Sequence, residues 1–495
     1  MKLSGLLHTI AYERLEGTKE IPNTEVTGVF SNSRDVIPGS IFVCIRGSVC
    51  DGITYGREAI EKGAALVAAP KEQKEELKAI LKAGNECAGI LVEDEREALS
   101  VLAAAYEGYP AESLVMIGVT GTKGKTTTAY MIRHILEDAG YRVGLLGTIE
   151  QFDGEKSIPS VHTTPDAVCL HRELGRMREN GCDICVMEVS SQALKLERTY
   201  GIMFDIGIFL NLGKDHISRF EHSDEAEYLE CKRKLFLQSD FGVGNRDDKR
   251  YDAVFRDTPC RKITYGIRSG RFRAENIFTD TWVDGRPGVI FTQDKTEYAI
   301  PVPGEYTVYN ALAAITVCRM MGVDKEKIRK TLRQFSVKGR AEFIKIPGGA
   351  VAVIDYAHNA MSLKSFLDTM RKYRPHRLIT VFGCGGGRAK DRRYEMGRVS
   401  GLLSDLTVIT SDNPRWENPE DIMEDIEEGT RETKGDYIKI PDRRKAVDFA
   451  VGMAREGDII VVAGKGHETY QEIQGIKYEM DERRLVEEAC MHRSS

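Results

Sequence analysis

A glycine-rich loop between an apolar segment and a helical segment constrains the fold of this chain most strongly. The loop, Gly-Thr-Lys-Gly-Lys-Thr at residues 121–126, follows the apolar run 114–119, and apolar residues recur at helical spacing after it. In a strand–loop–helix unit, backbone N–H groups and the helix N-terminus converge on phosphate oxygens, and Lys125 adds a positive charge. Val119 replaces the first glycine of the usual phosphate-loop spacing. The surrounding pattern still favours nucleotide binding over a turn that only caps a helix.

Composition narrows the possible partners of the chain. Its 495 residues contain 70 Lys and Arg against 76 Asp and Glu, a net charge of -6, so a basic surface for nucleic acid is not expected. No apolar run approaches the roughly 18 residues that a membrane span needs. The N-terminal segment lacks the pattern of a secretory signal, and 11 scattered cysteines suit reduced thiols. We therefore expect a cytoplasmic protein with small-molecule ligands, without a membrane span and without a nucleic-acid partner.

The pattern of apolar segments predicts an α/β protein with three domains. Residues 1–110 alternate short apolar runs with helical stretches and form a small N-terminal α/β domain. Residues 111–338 form a central P-loop-type domain with a mostly parallel sheet, into which antiparallel strands are inserted between Gly242 and Val302. Residues 339–495 alternate strands and helices, which is typical of a Rossmann-like doubly wound domain.

Polar residues follow most of the predicted strands. Ligands of open α/β sheets bind at the carboxyl ends of strands, so these positions are candidates for one large active site between domains. Any one of them could be a structural turn, but six in a chain with a phosphate loop favour a site. They are Glu188 with Ser190 and Ser191, Asn211 with Asp215 and His216, and the segments 355–358, 383–388, 412–415 and 464–468.

The order of these motifs resembles the Mur ligases of bacterial cell-wall synthesis. The resemblance extends over all three predicted domains, from Asn32-Ser-Arg34 near the N-terminus to Gly464-Lys-Gly-His-Glu468. Between them lie the phosphate loop, Thr163-Thr-Pro165, Met187-Glu-Val-Ser-Ser191, Asp215-His216, Lys232-x-x-Leu-Phe236, Tyr309-Asn310, Gly339-Arg340, Asp355-Tyr-Ala-His358, Gly383-Cys-Gly-Gly386 with Arg388, and Asp412-Asn-Pro-Arg415.

The resemblance implies ATP-driven formation of an amide bond in peptidoglycan precursor synthesis. The γ-phosphate of ATP would move to the D-Glu carboxylate of UDP-N-acetylmuramoyl-L-alanyl-D-glutamate, and the amine of meso-2,6-diaminopimelate would displace phosphate from the acyl phosphate. A carboxylate is inert to amines until its oxygen becomes a good leaving group, so the phosphate loop must neutralise the moving phosphoryl group. The three domains, in chain order, would bind the UDP-sugar, ATP and the amino acid, in a monomer that requires Mg²⁺.

The matched motifs imply a catalytic and nucleotide-binding set. The catalytic residues would be Lys125, Glu188, His216 and Lys232. The Mg²⁺ ligands would be Thr126, Glu188, His216 and Lys232. A lysine ammonium cannot ligate a metal, so Lys232 would be N-carbamoylated, which supplies hard oxygens; the alternative is a surface charge on a helix. The ATP contacts would be Gly121, Thr122, Lys123, Gly124, Lys125, Thr126, Thr127, Asn310, Arg340 and Asp355.

The resemblance also implies two sets of substrate contacts. Those to the UDP-muramoyl dipeptide would be Ser33, Thr163, Thr164, Ser190 and Arg198. Those to the amino acid would be Arg388, Asp412, Asn413, Pro414, Arg415, Gly464 and Glu468. The two arginines favour diaminopimelate because guanidinium groups can bind the second carboxylate that lysine lacks. The alternatives are a lysine-adding or other Mur-type ligase, including enzymes like folylpolyglutamate synthetase, and a non-catalytic nucleotide-binding paralogue.

Overall fold

The computed structural model describes residues 1–15, 20–47, 50–82, 87–213 and 221–494. These residues form two compact units. The first comprises Met1–Arg273 and Tyr309–Ile328, and the second comprises Ala274–Val308 and Arg329–Ser495. Within the described ranges, no helix is long and apolar enough to cross a membrane. All 11 cysteines are free, as predicted, and the Cys182 and Cys185 thiols are both buried.

The N-terminal part of the first unit is a small α/β structure. Its described strands are β1 Glu13–Arg14, β2 Val29–Phe30, β3 Ile41–Val43, β4 Leu66–Pro70 and β5 Ala88–Val92. They form a sheet in the order β1-β5-β4-β3-β2, with β1 antiparallel to β5 and the other pairs parallel. Its helices are α1 Leu3–Leu7, α2 Gly56–Glu61, α3 Lys74–Lys82 and α4 Glu95–Tyr106. Strand β4 is buried along its whole length, because parallel strands are covered on both faces.

The phosphate loop lies at the centre of a second sheet. The strands of this sheet are β6 Val115–Thr120, β7 Val143–Leu146, β8 Glu150–Phe152, β9 Ser157–Pro159, β10 Ile184–Glu188, β11 Phe204–Phe209, β12 Ser239–Asn245, β13 Arg261–Gly266 and β14 Phe272–Arg273. Their order is β14-β13-β12-β11-β6-β10-β7-β8-β9. Because β6 pairs in parallel with both β10 and β11, the carboxyl ends of these three strands meet at one edge.

The helices of this part of the chain are α5 Lys125–Asp138, α6 Ala167–Glu179, α7 Ser191–Lys195, α8 Glu225–Leu237, α9 Tyr251–Val254, α10 Glu305–Met320 and α11 Lys325–Arg333. Helices α5 and α8 pack on the sheet, together with aromatic side chains. Phe236 of α8 packs against Phe255 with ring centroids 4.4 Å apart. Gly242 of β12 makes room for Phe255, because a Cβ at Gly242 would lie 2.6 Å from that ring. The glycine-rich sequence of β12 is therefore explained by the size of the rings packed on it.

The second unit contains a six-stranded doubly wound sheet, a three-stranded antiparallel sheet and an antiparallel pair of strands near its C-terminus. Strands β15 Glu275–Val283, β16 Arg286–Gln293 and β17 Thr296–Ile300 form the antiparallel sheet. The other strands are β18 Glu342–Ile346, β19 Ala350–Asp355, β20 Leu378–Phe382, β21 Leu406–Ile409, β22 Asp436–Lys439, β23 Ile459–Ala463, β24 Tyr470–Ile473 and β25 Ile476–Glu479. The helices are α12 Ala360–Lys372, α13 Lys390–Leu403, α14 Pro419–Arg431, α15 Arg443–Gly452 and α16 Glu482–Ser494. The doubly wound sheet has the order β18-β19-β23-β20-β21-β22 and is parallel apart from the β18–β19 pair.

The predicted fold class is confirmed, with one correction. The antiparallel strands predicted between Gly242 and Val302 begin only at Glu275 and end at Ile300. Strands β12, β13 and β14, within residues 239–273, pair in parallel in the sheet of the phosphate loop. The sequence pattern of short strands and turns suggested hairpins over this whole region. Instead, α9 connects β12 to β13 as a crossover, and a crossover connection produces parallel pairing.

Candidate active site

The phosphate loop packs against one buried side chain of α10, that of Asn310. Gly124 precedes α5 and has a φ of 90°, in the left-handed region that glycine adopts without strain. A Cβ on Gly124 would lie 2.4 Å from Oδ1 of Asn310. The amide of Asn310 is buried, and its Nδ2 has no hydrogen-bond partner among the described residues. A glycine cradle beside a spare buried donor suits a nucleotide phosphate.

Other loop residues are fixed by hydrogen bonds within the first unit. Lys125 Nζ donates to the Gly121 carbonyl at 2.9 Å. The Asn211 side chain accepts from Lys123 N and donates to Lys123 O, both at 3.0 Å. The Thr122 hydroxyl lies 3.0 Å from the hydroxyl of Tyr228. Asn211 follows β11, so two neighbouring strand ends set the path of the loop.

Glu188, at the end of β10, connects the loop to the rest of the site. Its carboxylate is buried and accepts a hydrogen bond from the Thr126 hydroxyl at 3.0 Å. It also accepts from the backbone N–H of Thr148 at 2.8 Å and from the Thr148 hydroxyl at 3.1 Å. Gly147 allows this approach, because a Cβ there would lie 2.5 Å from Glu188 Oε1. The carboxylate is therefore held in one orientation beside the phosphate loop.

Lys232 of α8 is buried, with 1% of its surface exposed, so the interpretation as a surface charge is wrong. Its Nζ lies 3.4 Å from the Thr120 hydroxyl and 4.7 Å from the centre of the Tyr228 ring. An ammonium group is rarely buried without a specific task, because removing its charge from water is costly. Thr120 is the last residue of β6, so the Lys232 ammonium lies where the phosphate loop begins. This position suits a group that acts at the loop.

A cavity of about 270 Å³ lies beside these residues. Its lining residues come from the phosphate loop, from the segments after β9 and β10, and from α8 and the residues just before it. The lining residues are Gly121, Lys125, His162, Thr163, Thr164, Ser190, Ser191, Gln192, Arg198, Glu221, His222 and Lys232. Most of them are polar, so the cavity is suited to a charged or strongly hydrogen-bonding ligand.

Four of the five predicted contacts to the muramoyl dipeptide, Thr163, Thr164, Ser190 and Arg198, belong to one hydrogen-bonded group in this cavity. The Thr164 hydroxyl donates to the Glu188 carbonyl at 2.8 Å and accepts from the backbone N–H of Ser190 at 3.0 Å. Arg198 Nη1 donates to the Thr164 carbonyl at 2.7 Å. The Thr163 hydroxyl lies 3.1 Å from that of Thr148. Burial lowers the pKa of Arg198, but a guanidinium remains charged at neutral pH.

His222 was missed by the sequence analysis, because it stands in none of the motifs. Its ring is buried, and Nε2 lies 2.8 Å from the Ser191 hydroxyl. Burial lowers the pKa of His222, and the charges of Lys195 and Lys232 add to the effect, while Glu227 opposes it. The imidazole is therefore neutral at neutral pH. Thr148 was missed for the same reason, since a lone threonine after a strand carries no signal.

Two other predicted residues remain to be placed. His216, with its neighbour Asp215, lies outside the described residues. Ser33 is buried in the N-terminal part, where its hydroxyl donates to Glu58 Oε2 at 2.8 Å. Ser33 is not among the described residues that line the cavity.

The predicted adenosine contacts Arg340 and Asp355 lie in the second unit. Asp355 accepts hydrogen bonds from the backbone N–H groups of Ala341 and Ala357, both at 2.9 Å. The Arg340 guanidinium carbon lies 4.8 Å from the centre of the Tyr356 ring. Its Nε has no hydrogen-bond partner within the described part of the chain. A stacked arginine with a spare donor, near a fixed carboxylate, can receive polar groups of a ligand.

The two predicted amino-acid loops of the second unit meet at a buried lysine. Lys465 is fully buried, and its Nζ donates to Asn413 Oδ1 at 2.9 Å and to Glu468 Oε2 at 3.3 Å. Asn413 Nδ2 donates to Glu468 Oε2 at 2.8 Å. Gly464 has a φ of 113°, and a Cβ there would lie 2.9 Å from Asp412 Oδ2. Segments 412–415 and 464–468 are thus parts of one polar cluster.

The two predicted arginines differ in their surroundings. Arg415 is half-buried, and its guanidinium donates to the Gly386 carbonyl at 2.8 Å and to Glu472 at 3.3 Å. The carbonyl of Pro414 packs closely on Gly386, where a Cβ would lie 2.0 Å from it. Arg388 is exposed on the loop after β20. One arginine is therefore anchored, while the other is open to a ligand.

The donor set near Glu188 suits a hard cation. Thr126 and Glu188 offer a hydroxyl and a carboxylate, which are the oxygen groups that Mg²⁺ prefers. Over the described ranges, which leave out His216, no group of three or more His, Cys, Asp and Glu could hold a metal ion. The described residues therefore fit an ion that takes only part of its ligands from them and the rest from phosphate, water and other side chains.

Comparison with known proteins identifies the family of this chain. Residues 119–318 match the Mur ligase middle domain, residues 339–466 the Mur ligase glutamate ligase domain, and residues 25–107 the catalytic domain of the Mur ligase family. The chain belongs to the Mur ligase family. The predicted resemblance is confirmed, and so is the prediction of an ATP-dependent amide ligase.

Relatives of the chain among the Mur ligases cover its whole length. UDP-N-acetylmuramoyl-L-alanyl-D-glutamate–2,6-diaminopimelate ligase of Clostridium botulinum is 38% identical over 496 residues, with 99% of both chains covered. Ligase 1 of the same name from Clostridium acetobutylicum is 39% identical over 493 residues, again with 99% of both covered. A solved structure of an enzyme with this name is 26% identical, with a TM-score of 0.66, and covers 98% of this chain and 100% of its own.

We predict that Gly124→Ala weakens ATP binding by about tenfold or more. The new Cβ would overlap Asn310, and the left-handed backbone would be strained. Calorimetric titration with a non-hydrolysable ATP analogue measures the effect. Gly140→Ala is the matched control, since Gly140 follows the same helix with a φ of 100° but has nothing within 4 Å of its Cβ position. Wild-type affinity in Gly124→Ala would contradict the assigned role of the loop.

Proposed function

We propose that the chain uses ATP to join meso-2,6-diaminopimelate to the D-Glu carboxylate of UDP-N-acetylmuramoyl-L-alanyl-D-glutamate, in peptidoglycan precursor synthesis. The observation that carries the proposal is the hydrogen-bonded continuity between the phosphate loop and the polar cavity, through Glu188. Relatives that are 38% and 39% identical over their whole length carry this activity in their names, which supports the choice of substrates.

The phosphate loop holds the triphosphate for transfer. Backbone N–H groups at the start of α5 and the Lys125 ammonium are proposed to bind the phosphates, and Asn310 has a spare donor beside Gly124. These groups stabilise the charge of the moving phosphoryl group, which is the main task of a protein in phosphoryl transfer. Arg340 and Asp355, in the second unit, are proposed to contact the adenosine.

Mg²⁺ would be held by the hydroxyl of Thr126 and the carboxylate of Glu188, together with His216 and a carbamate on Lys232. When bound, the ion would offset charge on the phosphates. The carbamate forms when the neutral Lys232 amine adds to CO₂ and releases one proton. Burial supports this assignment, because carbamoylation replaces a poorly solvated ammonium with a group that can pair with a cation.

The cavity orients the carboxylate to be activated. Thr163, Thr164, Ser190 and Arg198 are proposed to bind the muramoyl dipeptide, and Arg198 can pair with an anionic group there. The carboxylate oxygen attacks the γ-phosphorus, ADP leaves, and an acyl phosphate forms. The amine then attacks the acyl carbon, and the tetrahedral intermediate expels phosphate while the amine loses its proton. His222 lines the same cavity, and its burial favours the neutral imidazole.

Selectivity for the amino acid is assigned to the second unit. Arg388 and Arg415 are proposed to bind the distal carboxylate of diaminopimelate, and Glu468 its ammonium group. Asp412, Asn413, Pro414 and Gly464 shape the loops that hold them. A cytoplasmic location and a monomeric state remain predictions from the sequence.

We expect phosphate release to require the UDP-muramoyl dipeptide and to be fastest with meso-2,6-diaminopimelate. The assay compares a panel of amines, including lysine, ornithine and glutamate, at equal concentrations. Lysine lacks the second carboxylate, so its kcat/KM should be lower by about 10- to 100-fold, the scale that loss of hydrogen bonds to a charged group produces. Faster turnover with lysine would contradict the proposed substrate and favour a lysine-adding enzyme.

We expect Lys232→Ala to lower kcat by about 100-fold, the upper range for loss of a group that supports a metal site. Acetate should restore part of the activity, because its carboxylate can replace the carbamate. In ¹³C-bicarbonate, the wild-type protein should show a carbamate carbon resonance that Lys232→Ala lacks. Arg233→Ala, on the same helix, is the control, since the Arg233 guanidinium donates to the Arg256 carbonyl and to Glu230, away from the phosphate loop. Full activity in Lys232→Ala would overturn the assignment.

A further inference from the structure

A buried ion pair of the second unit lies directly beneath the two amino-acid loops. Arg443 begins α15 and Glu482 begins α16, and the side chains of both are fully buried. Arg443 Nε donates to Glu482 Oε1 at 2.8 Å. Neither residue belongs to a motif that the sequence analysis connected with function.

The same guanidinium also bonds to two strand ends. Arg443 Nη2 donates to the Ala463 carbonyl at 2.8 Å, and Nη1 donates to the Ser411 carbonyl at 3.2 Å. Ala463 is the last residue of β23, and Gly464 follows it. Ser411 immediately precedes Asp412. Ser411 follows β21, and β21 is not a neighbour of β23 in the sheet, because β20 lies between them. A single planar group therefore connects the starting points of both amino-acid loops.

We propose that Arg443 is a positioning residue for the amino-acid substrate, which it serves by fixing segments 412–415 and 464–468 relative to each other. This inference rests on the proposed function, because it assumes that these loops bind the amine. The guanidinium is suited to the task, since its donors point in fixed directions within one plane. A lysine ammonium at this place could not bond to Glu482 and to both carbonyls with the same geometry.

The contacts above the guanidinium show what its loss would disturb. Asn413 and Glu468, one from each loop, are joined by a hydrogen bond of 2.8 Å, and Lys465 bonds to both. Arg443 Nη1 also lies 3.9 Å from Asp412 Oδ2. A shift of one strand end would separate Asn413 from Glu468. Displacements of about 1 Å at a binding site can cost a factor of about 100 in rate, so the effect would be measurable.

A simple substitution of Arg443 would leave Glu482 buried without its partner, which is strongly destabilising. The test therefore uses Arg443→Met combined with Glu482→Leu, because replacing both members of a buried ion pair by apolar groups is often neutral for stability. Arg444→Met is the matched control, since Arg444 is the next residue, is exposed and pairs with Glu488.

In steady-state kinetics, the double variant should show a KM for diaminopimelate raised about tenfold or more. Its KM values for ATP and the UDP-muramoyl dipeptide should stay within about twofold of wild type. Arg444→Met should behave like wild type, and Arg443→Lys should be intermediate. A folded double variant with the wild-type KM for the amine would overturn the proposal, as would a loss confined to kcat.

Amide hydrogen exchange tests the positioning role of Arg443 without depending on which amine is the substrate. Exchange in residues 411–415 and 463–468 should be faster in the double variant than in wild type, whatever amine the enzyme uses. If the wild-type enzyme prefers another amine, the proposed substrate is wrong, and the KM comparison is made with that amine. Unchanged exchange in both segments would overturn the positioning role independently of any turnover.

Discussion

The buried carboxylate of Glu188 is the interaction on which the rest of the site depends. It accepts hydrogen bonds from Thr126 of the phosphate loop and from Thr148, while the backbone carbonyl of the same residue accepts from Thr164. One residue at the end of β10 therefore fixes the nucleotide loop and the wall of the cavity together. A carboxylate can do this because each oxygen accepts more than one hydrogen bond.

The sheet order explains why this residue can join the two regions. Strand β6 leads into the phosphate loop and pairs with β10 on one side and β11 on the other. Glu188 and Asn211 therefore flank the loop at the carboxyl edge, and Asn211 holds Lys123 in place. In the second unit, Arg443 has a comparable task, since it connects the ends of β21 and β23. In both units, a buried polar side chain fixes the loops that are proposed to bind ligand.

Much of this arrangement could be predicted from the sequence, because strand-forming runs followed by polar residues mark the carboxyl edge of a parallel sheet. The parallel pairing of β12 and β13 could not, since the short helix α9 between them carries too weak a signal. His222 and Thr148 were also missed. Their roles come from three-dimensional neighbours, and a lone histidine or threonine has no distinguishing spacing. Burial of Lys232 was equally hidden, because its basic neighbours suggested an exposed helix face.

In the proposed reaction, ATP activates the D-Glu carboxylate as an acyl phosphate before the amine attacks. Transfer of oxygen can be followed with a UDP-muramoyl dipeptide that carries ¹⁸O at both oxygens of that carboxylate, by mass analysis of the phosphate released during turnover. We expect each phosphate to contain one ¹⁸O atom, because the carboxylate oxygen that attacks phosphorus leaves with it. Phosphate without ¹⁸O during formation of the amide would rule out the acyl phosphate.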